Sequence, residues 1–109
     1  MFIFSLMTIS FASSNYDQGV QALQDKNYPL AVKHLSECVM EERDRETLQN
    51  CLWELGWANW MLSDWKQVIK SWETLQKGDP NRSGLDEYLS QARDNYNLEN
   101  KTDEDNLKN

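Results

Sequence analysis

Glycine and proline are scarce in this 109-residue chain, at four and two, and histidine occurs once. No glycine-rich loop of the kind that cradles phosphates is present, and β-branched residues do not cluster. Nor does any stretch alternate apolar and polar side chains over strand length, which removes the β signal and leaves the helical one. Basic residues are also in short supply, 11 Lys+Arg against 18 Asp+Glu, for a formal charge of −7. That balance disfavours nucleic acid or an anionic membrane as the main partner, since both attract basic surfaces, and it steers basic segments toward the protein. The length allows one domain at most. What the chain has in abundance is tryptophan: all five lie between Trp53 and Trp72.

The dominant pattern is a repeat. Gly19, Tyr28, Ala31, Leu35 and Cys38 recur 37 positions later as Gly56, Trp65, Val68, Trp72 and Leu75, and Tyr16 and Val20 recur as Trp53 and Trp57. A small residue, an aromatic nine later, then bulky residues at i+3, i+7 and i+10 describe a helix, a tight turn and a second helix. Repetition at this period predicts a stacked helical array. The first helix is expected from about Asn15 to Gln24, and the second follows Asn27 as its cap with Pro29 in its first turn. The charged run Glu41–Glu46 reads as a solvated connection. A third helix is expected from near Asp44 to about Leu62, and a fourth from a Ser63 or Asp64 cap to Lys77, with Gly78 and Pro80 beyond it. A fifth, near Gly84–Tyr96, carries Leu85, Tyr88, Leu89, Ala92 and Tyr96 at helical spacing. Residues 97–109 are rich in Asn, Asp and Glu and are expected to be a disordered acidic tail.

Residues 1–14 stand apart. They carry no charged side chain, run apolar from Phe2 to Phe11, and end in small residues. This reads as an export signal with cleavage after Ala12 or Ser14, so that the mature chain begins at Ser13 or Asn15 and resides in a periplasmic or secreted location. A basic start is missing, so an upstream start codon, an uncleaved anchor and a cytoplasmic chain with a buried N-terminus stay open. Ten or eleven apolar residues are too few to span a hydrocarbon core of ~30 Å as a helix. Cys38 and Cys51 are the only cysteines, an even count that permits a disulfide in an oxidising compartment. Such a bridge would contribute roughly 3 kcal/mol by loop closure; the alternative is two buried thiols that pack as small hydrophobes.

The second unit resembles the tetratricopeptide repeat (TPR) family, whose pattern is W-x2-L-G-x2-Y, then A-x3-F, then P over roughly 34 residues. Leu52-x2-Leu55-Gly56 stands for the opening, Asn59 takes the Tyr place, Val68-x3-Trp72 the A-x3-F place, and Pro80 closes the unit. The first unit matches at Gly19, Tyr28, Ala31 and Leu35. The resemblance implies an all-α array of antiparallel helix pairs: repeat 1 over about 15–43, repeat 2 over about 44–80, and a capping helix over about 84–96. It also implies a protein-binding adaptor, in which the first helix of each pair lines a concave groove for a peptide or protein segment. The residues placed there are Tyr16, Val20 and Leu23 on the first helix and Trp53, Trp57 and Trp60 on the third. Two readings of this stripe stay open: a binding groove, or a core packed between neighbouring helices. If it is an open groove, Trp57→Ala leaves the melt unchanged; if it is core, that variant collapses as Trp72→Ala should.

Some members of the family that this chain resembles grip a C-terminal carboxylate with Lys and Asn on this face, but here the matching positions are aromatic or aliphatic, so that mode is not supported. The competing functional reading is a structural subunit of a cell-envelope assembly whose Trp-rich face joins copies of the chain. Catalysis finds little support. His34 and Cys38, one helical turn apart, could pair as metal ligands or as base and nucleophile, yet Cys38 falls on a buried stripe. No metal site and no cofactor are expected.

Overall fold

The computed structural model describes residues 13–108, with side chains described through residue 101. Residues 1–12, and with them most of the expected export signal, lie outside the described residues. Among the described residues five helices follow one another: α1 Asn15–Gln24, α2 Tyr28–Glu41, α3 Arg45–Met61, α4 Trp65–Gly78 and α5 Leu85–Lys108. No strand occurs among the described residues. Each helix packs against the next, and α1 also meets α3.

Local chemistry sets the helix starts. Ser14 Oγ accepts the Asp17 N–H at 3.1 Å, Asn27 Oδ1 accepts Leu30 N–H at 3.3 Å, and Asp64 Oδ1 accepts Gln67 N–H at 3.4 Å. Asp44 is the most heavily bonded cap, accepting both the N–H and the hydroxyl of Thr47 at 3.0 and 2.8 Å. Those two bonds favour the carboxylate and hold its pKa below the ordinary aspartate value. Each cap satisfies donors that the first turn of a helix leaves unpaired.

The 37-residue repeat governs the turns as well as the core. Lys26 and Ser63, one repeat apart, both take the left-handed conformation, with φ of 60° and 56°. In the first turn Asn27 N–H bonds Ala22 O at 2.8 Å and Lys26 N–H bonds Leu23 O at 3.0 Å. In the second, Asp64 N–H bonds Asn59 O and Ser63 N–H bonds Trp60 O, both at 2.9 Å. This is the paired-bond C-terminal cap in which one left-handed residue closes a helix. The next residue then caps the following helix, which gives the shortest reversal between α1 and α2 and again between α3 and α4.

Matching positions in the two units are buried together: Ala31 with Val68, Leu35 with Trp72, Cys38 with Leu75 and Ala22 with Asn59. Asn59, at the place where the TPR pattern expects Tyr, returns its amide N–H2 to Leu55 O at 3.1 Å and so brings no unpaired donor into the core. The closest approaches are at the glycines. A Cβ on Gly19 would sit 2.5 Å from Leu35 Cγ, and one on Gly56 would strike the indole of Trp72. Both positions require glycine for the same reason, that a helix α1 or α3 lies hard against the large residue of its partner.

Cys38 and Cys51 form a disulfide that ties α2 to α3, with their Cα atoms 6.2 Å apart. Both residues are buried. The bridge spans the charged connection that joins the two helix pairs, so it fixes one unit against the other.

The last helix departs from expectation. Residues 97–108, read in the sequence as a disordered tail, continue α5 to Lys108. No glycine or proline follows Gly84, and extending a helix already nucleated by a packed first half is far easier than starting one. That first half inserts Leu85, Leu89 and Ala92 into the core, each with no exposed surface. These three stand 34 positions after Cys51, Leu55 and Ala58, the stripe by which α3 packs on α2. The neighbouring α3 positions Leu52, Gly56 and Asn59, which are buried, correspond on α5 to Asp86, Ser90 and Arg93, all exposed. At the other end, Gln18 and Gln21 stand one repeat before Leu55 and Ala58 and are likewise exposed. Among the described residues, the first and last helices thus present exposed polar residues where the interior positions are buried, as the ends of an array do.

Candidate functional site

The six residues expected to line a binding face are all partly buried. Five of them fall on two core clusters. Tyr16 and Leu23 pack beside Ala22, Ala31, Leu35, Leu55 and Ala58, whereas Trp53, Trp57 and Trp60 pack beside Leu52, Val68, Trp72, Leu75, Leu85 and Leu89. Val20 packs against neither cluster.

The Trp stripe of α3 is an aromatic cluster whose inner half is core. Trp72, fully buried on α4, stacks on Trp53 with centroids 5.3 Å apart and meets Trp57 edge-on at 4.9 Å. Its Nε1–H donates to Trp53 O at 3.2 Å, so the one polar atom of the buried indole is satisfied. Trp60 meets Trp65 edge-on at 4.9 Å. Tyr88 on α5 completes the group, edge-on to Trp57 at 4.9 Å and 6.2–6.5 Å from Trp53, Trp60 and Trp72. Pairs of this kind add about 0.5–1.5 kcal/mol beyond the area they bury. Trp57 touches four other rings, so of the three stripe residues it is not the free-standing one that an open groove would have.

Beside these rings lie charged residues whose position the sequence gave no sign of. Arg82, in the link between α4 and α5, sits 5.4 Å over the Trp53 ring. It donates from Nε to Asp79 at 2.8 Å and from Nη2 to Asn50 Oδ1 at 3.1 Å. Glu54, between Trp53 and Trp57 in the chain, is partly buried, and among the described residues its carboxylate accepts no hydrogen bond and joins no ion pair. Burial pushes its pKa above the ordinary glutamate value, with the Arg82 charge pulling weakly back. The Tyr16 phenol is pushed up too, by burial first and then by the Glu54 and Asp17 charges. Tyr16, Glu54 and Arg82 therefore share one electrostatic neighbourhood on the side of α1 and α3 that carries the expected site. The repeat offered one clue: Glu54 stands one period after Asp17.

Several other concavities are present among the described residues, two of them of note. One, of about 220 Å³, runs between α2 and α4 over a floor of Leu52 and Leu55. The other, of about 560 Å³, is bordered by Lys66, Lys70, Lys77 and the Arg93–Glu73 ion pair. The disulfide removes Cys38 from any pairing with His34, whose Nδ1 is buried without a hydrogen-bond partner. Among the described residues no group of three or more His, Cys, Asp or Glu side chains is placed to hold a metal ion, and no helix is long and apolar enough to cross a membrane.

The fold and this face together define an all-helical stack of antiparallel pairs with a partly covered aromatic stripe. No protein-family model, curated protein or solved structure matches the chain.

Proposed function

We propose that this protein is a small exported adaptor of the TPR kind, which holds a segment of another protein on the face formed by α1 and α3. The observation that carries the reading is the incomplete cover of that face. Val20 packs against neither core, Met61 is 53% exposed, and the Trp53, Trp57 and Trp60 side chains are only partly buried. Apolar and aromatic surface left open in this way is where proteins bind proteins. The polar ends of the stack support binding across the face rather than growth end to end. Export is supported by the apolar segment 1–14 and by a disulfide of the sort that persists in oxidising compartments.

The test is selection of peptides from a random 12-residue display library on the oxidised chain. Selected peptides should lose at least tenfold in affinity on Val20→Glu, a change that leaves both cores intact, and should be indifferent to Met40→Glu on the 83% exposed outer surface of α2. Failure to select any peptide, or binding untouched by Val20→Glu, overturns the proposal. Light scattering on the same samples should report a monomer; a dimer split by Val20→Glu would instead make the face a contact between copies of the chain.

A further inference from the structure

The α1–α3 face combines open apolar surface with negative charge, and the charge is not neutralised from within. Among the described residues Arg82 is the cation whose charge acts on Glu54, but its guanidinium is already engaged by Asp79 and Asn50 and sits over the Trp53 ring. Asp79 balances its charge. Glu54 is left half-covered among aromatic residues, with no hydrogen-bond donor and no ion pair. One repeat earlier Asp17 occupies the corresponding place on α1, exposed and also outside any ion pair. Tyr16, Trp53 and Trp57 border this region, and the faces of such rings attract cations.

Resting on the adaptor reading above, we infer that the segment held on this face presents a lysine or arginine side chain to Glu54, with its aliphatic stem along Trp57 and Val20. A basic side chain suits the place on three counts. Its charged head supplies the donors that Glu54 lacks, and a charge-assisted bond of this kind is about twice as strong as a neutral one. Its methylene stem covers apolar surface while its head stays polar. The formal charge of −7 also draws a basic segment toward the chain. Burial raises the pKa of Glu54 and the Arg82 charge offsets this only in part, which agrees with a carboxylate that no partner bonds directly. An acidic or C-terminal carboxylate ligand fits poorly, since among the described residues Arg82, the cation acting on Glu54, is already paired.

The experiment uses peptides selected as above, synthesised with acetylated and amidated ends in three versions: with the lysine or arginine, with norleucine in its place, and with glutamate. On the wild-type chain, replacement by norleucine should weaken binding about tenfold and glutamate should weaken it further. On Glu54→Gln the basic and norleucine versions should bind within about twofold of each other, the fold-change expected once the charge pair is gone. Glu54→Gln should fold, because its carboxylate accepts no hydrogen bond and burial already disfavours its charge; Glu42→Gln, on the distant α2–α3 connection, serves as the control that leaves the difference intact. Equal binding of all three versions to the wild type, or an unchanged preference on Glu54→Gln, overturns the inference while the adaptor reading stands. Absence of any selected peptide overturns both.

Discussion

The two helix pairs meet the same geometric demands with side chains of very different size. In the first, Leu35 lies against Gly19 with Ala31 and Cys38 beside it; in the second, Trp72 lies against Gly56 with Val68 and Leu75. Every one of these core positions is buried in both units, so the architecture prescribes burial and close approach, not residue identity. The difference in size has a consequence at the neighbouring helix. The first core is small enough to close with aliphatic residues and the single ring of Tyr16. The second needs Trp53, Trp57, Trp60 and Tyr88 around its indole, and these rings reach from α3 across α4 to α5. The second pair thereby carries both the larger core and the aromatic surface that the proposed function uses.

The largest break in this comparison should come from emptying the two cores. Trp72→Ala should cost about 3–5 kcal/mol and Leu35→Ala about 2–5, with Trp72 toward the top of its range because four aromatic partners lose contact with it. A domain of this size has about 5–15 kcal/mol in total. Circular-dichroism melts of the oxidised chain should therefore show Trp72→Ala largely unfolded and Leu35→Ala markedly weakened. Equal losses would mean that the two cores contribute alike, and a wild-type melt for Trp72→Ala would show that its indole is not core.

A sharper comparison comes from the glycines. Alanine gains about 1 kcal/mol over glycine in a helix interior, while overpacking costs about 1–3 kcal/mol. At Gly19 the new methyl meets the buried Leu35 side chain, which must shift but is less rigid than an indole, so Gly19→Ala should lose about 1 kcal/mol. At Gly56 it meets a rigid buried indole, so Gly56→Ala should lose about 2 kcal/mol, the overpacking cost winning. Denaturant midpoints of the pair measure this; a more damaging change at Gly19 would reverse the assignment of which contact is tighter.

The smallest effect should be at the two turns. Lys26 and Ser63 hold a left-handed conformation that costs a non-glycine residue about 1–2 kcal/mol. Glycine relieves that cost but adds freedom to the unfolded chain, worth about 0.4–1 kcal/mol. Lys26→Gly and Ser63→Gly should each gain up to about 1 kcal/mol, and by similar amounts. Unequal shifts in melting temperature would show that the turns are not equivalent.

The sequence by itself determined the helices and their inward stripes. Periodic apolar residues, the caps Asn27 and Asp64, and Pro29 in a first turn act within three or four residues of one another, so they are legible without a partner. The 37-residue register likewise brought out Leu35 and Trp72 as core, and Gly19 and Gly56 as close contacts. Only the tertiary structure decided the rest. Lys26 and Ser63 give no compositional hint of a left-handed backbone, since the turn bonds to carbonyls of the preceding helix impose it. Two buried thiols and a disulfide are identical in sequence until α2 and α3 place Cys38 beside Cys51. Residues 97–108 read as a tail by composition, but they continue a helix whose first half is anchored in the core. The stripe of Trp53, Trp57 and Trp60 was visible as a pattern; how far each ring is covered depended on Trp72 and Tyr88 arriving from other helices. Arg82 over Trp53, and Glu54 beside Tyr16, exist as a site only because chain segments far apart in sequence converge there. Charge and exposure are properties of that convergence, whereas helix formation is a property of the local chain.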